Sequence, residues 1–130
     1  MKLKEIVLHF RQYRAHGERK VLKNNGGYTI LIAPEFDPKN NTSGYRFIYS
    51  RCGKRDNFSK GVGVSIVRGR LAYTMLTTAP LPAEVYNKNG KLLSQRMPKI
   101  PLLNKLLHMN DVCRAGFTKE FFETLIERMD

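Results

Sequence analysis

Tyr45-Arg-Phe-Ile-Tyr-Ser-Arg-Cys-Gly-Lys-Arg-Asp-Asn-Phe-Ser-Lys-Gly-Val-Gly-Val-Ser-Ile-Val-Arg-Gly-Arg-Leu71 is the stretch on which the fold turns. Its first part, Gly44–Ser50, alternates Tyr45, Phe47 and Tyr49 with Arg46, Ile48 and Ser50, the two-residue period of a half-buried strand. An aromatic row on a sheet is either a stacking platform for single-stranded nucleic acid or the core face of the sheet under a helix. Amphipathic alternation is the ordinary signature of the second, so the row is read as core. Arg51, Lys54 and Arg55 then crowd a short turn in which Gly53 eases the bend and Asp56 or Asn57 is available as a helix N-cap. Cations beside the unpaired amides of a helix start make an anion site, unless Asp56 fills the cap and the cations only solvate the loop.

The segment from Phe58 to Tyr73 reads as a helix, although its three glycines and its valines are poor helix formers and Val62–Ile66 also alternates like a strand. On the helical reading Phe58, Val62, Ser65, Ile66, Gly69 and Tyr73 share one face. Gly69 then lets the backbone approach the aromatic side of the sheet.

Upstream, residues 2–14 fit a helix through Leu3, Ile6, Val7 and Phe10, or a strand through Ile6, Leu8 and Phe10. Their β-branched and aromatic content favours the strand. Arg11, Tyr13 and Arg14 interleave an aromatic with guanidinium groups, a combination suited to bases and phosphates. Lys20–Lys23 and Tyr28–Ala33, joined by Asn24-Asn-Gly-Gly27, read as a hairpin whose second strand is closed by Pro34 and Pro38. Residues 34–44 read as a loop.

Downstream, Pro80 and Pro82 break regular structure, and Asn89-Gly90 marks a second hairpin within Glu84–Ser94. Pro101 suits the first position of a helix through Leu102, Leu103, Leu106 and Leu107. Thr118 caps a last helix, Lys119–Met129, whose broad apolar face is read as core packing. The expected architecture is one α+β domain over residues 1–130: a small antiparallel sheet of about four strands, a central packing helix and C-terminal helices.

The chain has 130 residues, 42% hydrophobic and 26% charged, a composition that supports a folded core without metal or disulfide staples. Its net charge is +12, and the distribution is uneven. Residues 1–110 carry 20 Lys and Arg against 6 acids, whereas residues 111–130 carry 3 against 5. A strongly basic body favours polyanionic partners. Cys52 and Cys113 are too few for a disulfide framework and are read as reduced thiols. No apolar leader follows Met1-Lys2-Leu3-Lys4 and no stretch approaches membrane-spanning length, so the expected location is the cytoplasm and the sequons at Asn40 and Asn41 carry little weight.

No phosphate-binding loop is present, and Gly61-x-Gly63 lacks the rest of a dinucleotide fingerprint. His9, His16 and His108 lack the spacing of zinc ligands, and the aspartates are scattered. The reading is therefore non-enzymatic and without cofactor.

Phe58-Ser-Lys-Gly-Val-Gly-Val-Ser-Ile-Val-Arg-Gly-Arg-Leu71, preceded by a strand, Cys52 and Lys54-Arg55-Asp56, resembles a pattern in small uncharacterised bacteriophage proteins. In these, a strand ends near Cys or Ser, an Asp-x-Phe-x-Lys step follows, and a helix ends in Gly-Arg-Leu. The match covers about 25 residues; Val64 replaces an expected basic residue and Gly61 departs as well. The resemblance implies the helix and a phage origin, which would place the protein in the cytoplasm of an infected bacterium, and it carries over no catalytic residue. The expected function is a phage accessory protein that binds nucleic acid through Arg11, Tyr13 and Arg14, with Arg46, Arg51, Lys54, Arg55, Arg68 and Arg70. The alternative is an inhibitor that docks on a host defence or transcription protein.

Overall fold

The computed structural model describes residues 4–37, 40–76 and 81–130. They form an α+β fold of seven strands and three helices. The strands are β1 (Ile6–Phe10), β2 (Tyr13–His16), β3 (Arg19–Leu22), β4 (Tyr28–Asp37), β5 (Thr42–Arg51), β6 (Glu84–Tyr86) and β7 (Leu92–Met97). The helices are α1 (Lys60–Met75), α2 (Lys99–Cys113) and α3 (Lys119–Met129). Five strands make one antiparallel sheet in the order β1-β4-β5-β7-β6, and β2 and β3 make a separate two-stranded ribbon.

Alternation along each strand sends apolar side chains to both faces of the sheet, and both are covered. Ile6 and Phe10 of β1, Ile30 and Ile32 of β4, and Tyr45 and Phe47 of β5 pack against Leu102, Leu106, Phe122 and Ile126 of α2 and α3. The opposite face offers Leu31 and Ile48, which pack on Val67 of α1 with Val7, Ala33 and Leu71 around them. The aromatic row is thus core, but its cover is α2 and α3. The expectation that the central helix lies on the aromatic side is overturned, because Ile48 and Leu31 give the other face its own apolar centre.

The face of α1 is corrected with it. Gly63, Val67 and Thr74 are buried, while Val62, Ile66 and Tyr73 are exposed. A Cβ on Gly69 meets nothing within 4 Å, whereas one on Gly63 falls 2.1 Å from Thr29 Oγ1. Gly63, not Gly69, is the close-approach glycine. Gly69→Ala, in an exposed helix interior, is therefore expected to stabilise the fold by about 1 kcal/mol, which a chemical denaturation midpoint checks.

Four further boundaries differ. Tyr13–Leu22 is itself a hairpin, with Tyr13 opposite Leu22 and His16 opposite Arg19 around Gly17-Glu18, and Gly17 takes φ +64°. β4 instead pairs with β1 and β5, so the expected β3–β4 hairpin does not exist. β4 also runs through Pro34 to Asp37, which shrinks the expected 34–44 loop; Pro38 lies outside the described residues. β1 covers β4 only as far as Ile32, so Pro34 sits where the strand is paired on one side. α1 begins at Lys60 with Ser59 as its cap, accepting from Val62 N–H at 3.2 Å, in place of Asp56 or Asn57. α2 begins two residues before Pro101, with Pro98 as the cap residue. The Asn89-Gly90 hairpin and the Thr118-capped last helix are present as expected.

Candidate nucleic-acid interface

The sheet register decides which basic segments meet. Phe10 pairs with Tyr28 and Tyr28 with Arg51, so β1 ends, β4 begins and β5 ends at one edge of the molecule. The β2–β3 ribbon leaves from that end after Phe10, and the Arg51–Ser59 turn leaves from it after β5. The two segments are tied together by backbone. Phe58 N–H donates to the Asn24 carbonyl at 2.7 Å, and Asn25 bridges Asn57. Cys52 N–H donates to the Gly27 carbonyl at 2.9 Å. Gly26 and Gly27, at φ +74° and +99°, permit the tight passage between ribbon and sheet.

Residues 11–27 carry five cations and Glu18, and residues 51–60 carry four cations and Asp56. Among the described residues none of these nine cations is in an ion pair. Apart from Glu18 and Asp56, neither of which is in an ion pair among the described residues, the carboxylates lie elsewhere. Glu35 grips Arg46 and Arg96, Glu5 holds Arg68 at 2.6 Å, and Asp130 accepts from Tyr45. That hydrogen bond to Asp130 comes with a Tyr45 phenol pushed well above its ordinary range, burial being the larger cause. Positive charge is thus concentrated at the end of the sheet where the ribbon emerges, and the carboxylates Glu35 and Glu5, which pair with arginines, lie away from it.

The nine sequence-derived residues do not all belong to this surface. Arg14, Arg51, Lys54 and Arg55 are exposed there. A recess of about 380 Å³ between ribbon and turn is lined by Arg14, Leu22, Lys23, Asn24, Asn25 and Asn57. Arg11 is half-buried at the ribbon's root. Its guanidinium lies over the Phe58 ring at 4.8 Å and donates to the Lys23 carbonyl at 3.3 Å, so it braces the joint. Tyr13 is half-buried and shares its ribbon face with Ala15, so it does not stand beside Arg14 as the sequence reading had it. Arg46 is 2% exposed and bound to Glu35, with further bonds to the carbonyls of Pro82 and Ala83. It is an internal clamp and not a ligand for phosphate. Arg68 is paired with Glu5, and Arg70 donates to the Tyr49 carbonyl just beyond the β5–β7 ladder.

Arg19, Lys20, Lys23 and Lys60 belong to the surface and were missed. For the ribbon cations the signal was present in Gly17-Glu18, a two-residue turn with glycine first, flanked by four-residue strands.

A second cleft, about 250 Å³, lies between Val62 and Ile66 of α1 and the 50–58 segment. Cys52 lines it, with its thiol against the carbonyls of Gly53, Asp56 and Asn57 at 3.6, 3.3 and 3.6 Å. These contacts make it a brace of the turn. His9 shares Thr29 Oγ1 with that region at 3.0 Å, and its pKa is lowered by burial and by nearby Lys60. Cys113 is buried, which raises its thiol pKa, and both cysteines are free. Among the described residues no group of three His, Cys, Asp or Glu gathers as a metal site, and no helix is long and apolar enough to cross a membrane.

Fold and surface together define a small basic α+β protein in which cations without an ion pair among the described residues collect where a ribbon leaves the sheet. No known protein family, curated protein or solved structure matches the chain.

Proposed function

We propose that the protein is a non-enzymatic nucleic-acid-binding accessory protein, acting through the surface formed by the β2–β3 ribbon and the Arg51–Ser59 turn. The observation that carries this reading is the segregation of charge: nine cations in two segments joined by backbone, none of them ion-paired among the described residues. Cations at this density with no carboxylate paired to them among the described residues repel one another, and a polyanion relieves that repulsion while releasing its own condensed counterions. The phage origin, and with it the cytoplasm of an infected bacterium, rests on the resemblance of the 58–71 segment alone.

A single comparison tests the reading. Changing Arg51, Lys54 and Arg55 together to Ala is expected to weaken binding to all sequences alike. The slope of log affinity against log salt should fall in magnitude by roughly 2 to 3 for duplex DNA, at just under one per phosphate contact. The melting temperature should hardly move, since exposed charges contribute little to stability. An unchanged slope in the folded variant places the contacts elsewhere and removes the turn from the interface.

One observation favours docking on a host protein as the second reading. Val62, Ile66, Tyr73 and Leu76 on the outer side of α1 are 60%, 40%, 47% and 85% exposed, with Gly69 between them. Their 4-3-4-3 spacing is that of a helix seam that another helix can cover. Capture of a host protein that persists after nuclease treatment, and is lost in Ile66→Glu, supports this reading over the first.

A further inference from the structure

Resting on the nucleic-acid reading, we infer that the β2–β3 ribbon enters the major groove of B-form duplex DNA. The ribbon stands apart from the main sheet, and Arg14, Ala15, His16, Arg19, Lys20 and Leu22 are all exposed. Its root is fixed by Lys23 N–H on the Gln12 carbonyl at 2.9 Å and by the Arg11–Phe58 stack. Beyond the root, its one hydrogen bond to the rest of the described molecule is Lys20 Nζ to the Arg114 carbonyl at 3.3 Å. That bond turns the Lys20 face, which also holds Ala15 and Leu22, toward the α2–α3 turn. The register then puts Arg14, His16 and Arg19 on the opposite face, with His16 directly across from Arg19.

A two-stranded ribbon is one of the two elements that a B-form major groove, about 12 Å wide, admits. Strands about 4.8 Å apart present a narrow double row of side chains, and arginine is the commonest reader of base edges there. The major groove of an A-form duplex is too deep and narrow for such reading. The Tyr45–Phe47–Tyr49 row lies in or against the core, so it is not the platform on which unstacked bases are held. Arg51, Lys54 and Arg55, joined to the ribbon through Asn24–Phe58 and Asn25–Asn57, are set to meet the flanking phosphates. The geometry thus divides the labour: the turn positions the duplex and the ribbon probes its groove.

The test measures fluorescence anisotropy of the full chain, and of an Arg14→Ala/Arg19→Ala variant, with duplex DNA, duplex RNA and single-stranded DNA of matched sequence and length. The wild type is expected to bind duplex DNA at least roughly tenfold tighter than duplex RNA, and the variant to lose roughly tenfold or more on duplex DNA. Its preference for DNA over RNA should shrink with that loss. Both residues are exposed, so the variant should keep the wild-type melting curve; if it does not, Arg14→Lys/Arg19→Lys, which keeps the charge but not the planar fork, serves in its place and should still lose DNA preference. Equal binding of DNA and RNA duplexes, tighter binding of single strands, or a variant indistinguishable from wild type overturns the groove assignment while leaving nucleic-acid binding intact. Absence of binding to all three nucleic acids overturns both.

Discussion

Glu35→Ala is expected to destabilise the protein by about 3–5 kcal/mol, the usual effect of removing one partner from a buried ion pair. Arg46 is 2% exposed, and its Nε and Nη2 donate to the two oxygens of Glu35 at 3.1 and 2.8 Å. Arg96 Nε reaches the same carboxylate at 2.6 Å. Both arginines also bind carbonyls, Arg46 those of Pro82 and Ala83 and Arg96 that of Leu81, so the carboxylate holds β4, β5, β7 and the 81–83 segment together. Without Glu35 two guanidinium charges face each other, one of them sealed from water. Thermal unfolding should show a melting temperature lower by roughly 10–20 °C. A loss below about 1 kcal/mol contradicts the buried clamp and would return Arg46 to the solvent-facing cations.

Gly63→Ala should cost about 1–3 kcal/mol even though alanine is the better helix former, by about 1 kcal/mol, at an unconstrained site. The added carbon would stand 2.1 Å from Thr29 Oγ1 and 2.8 Å from Thr29 Cβ. Thr29 cannot easily yield, being 1% exposed, β-branched and hydrogen-bonded to His9. The helix must therefore lift from Leu31 and Ile48. Gly69→Ala makes the same chemical change six residues along the helix and meets open space. Opposite signs for the two substitutions, read from denaturation midpoints, establish which face of α1 rests on the sheet. Stabilisation by both contradicts the packing.

What the sequence disclosed follows from where its signals were local. The β5 alternation, the Asn89-Gly90 turn and the Thr118 cap with Glu120 in the first turn of α3 are each written within a few residues. The face of α1 was not, because Val62, Ile66 and Tyr73 form a better apolar stripe than Gly63, Val67 and Thr74, which are the buried set. Only the tertiary contact with Thr29 makes a glycine the right residue, and Thr74 is admitted to the interior by Ser94 across a 2.9 Å hydrogen bond. Charge was legible in amount and not in use. Arg46 and Arg14 look alike in the sequence, yet the alternation of β5 turns Arg46 inward beside Glu35, while the ribbon leaves Arg14 in solvent. The ribbon itself was hidden because Asn24-Asn-Gly-Gly27 is a more familiar hairpin signal than Gly17-Glu18. In the fold those glycines serve instead to carry the chain from ribbon to sheet.

The central claim is that the cations clustered at the ribbon end of the sheet form a surface for nucleic acid. The most direct measurement is the affinity of the unmodified chain for a short DNA duplex at several salt concentrations between about 50 and 200 mM. If the ribbon and turn engage four or more phosphates, log affinity should fall against log salt with a slope of roughly −3.6 or steeper. A folded protein that shows no binding at about 50 mM salt, or an affinity indifferent to salt, contradicts the claim.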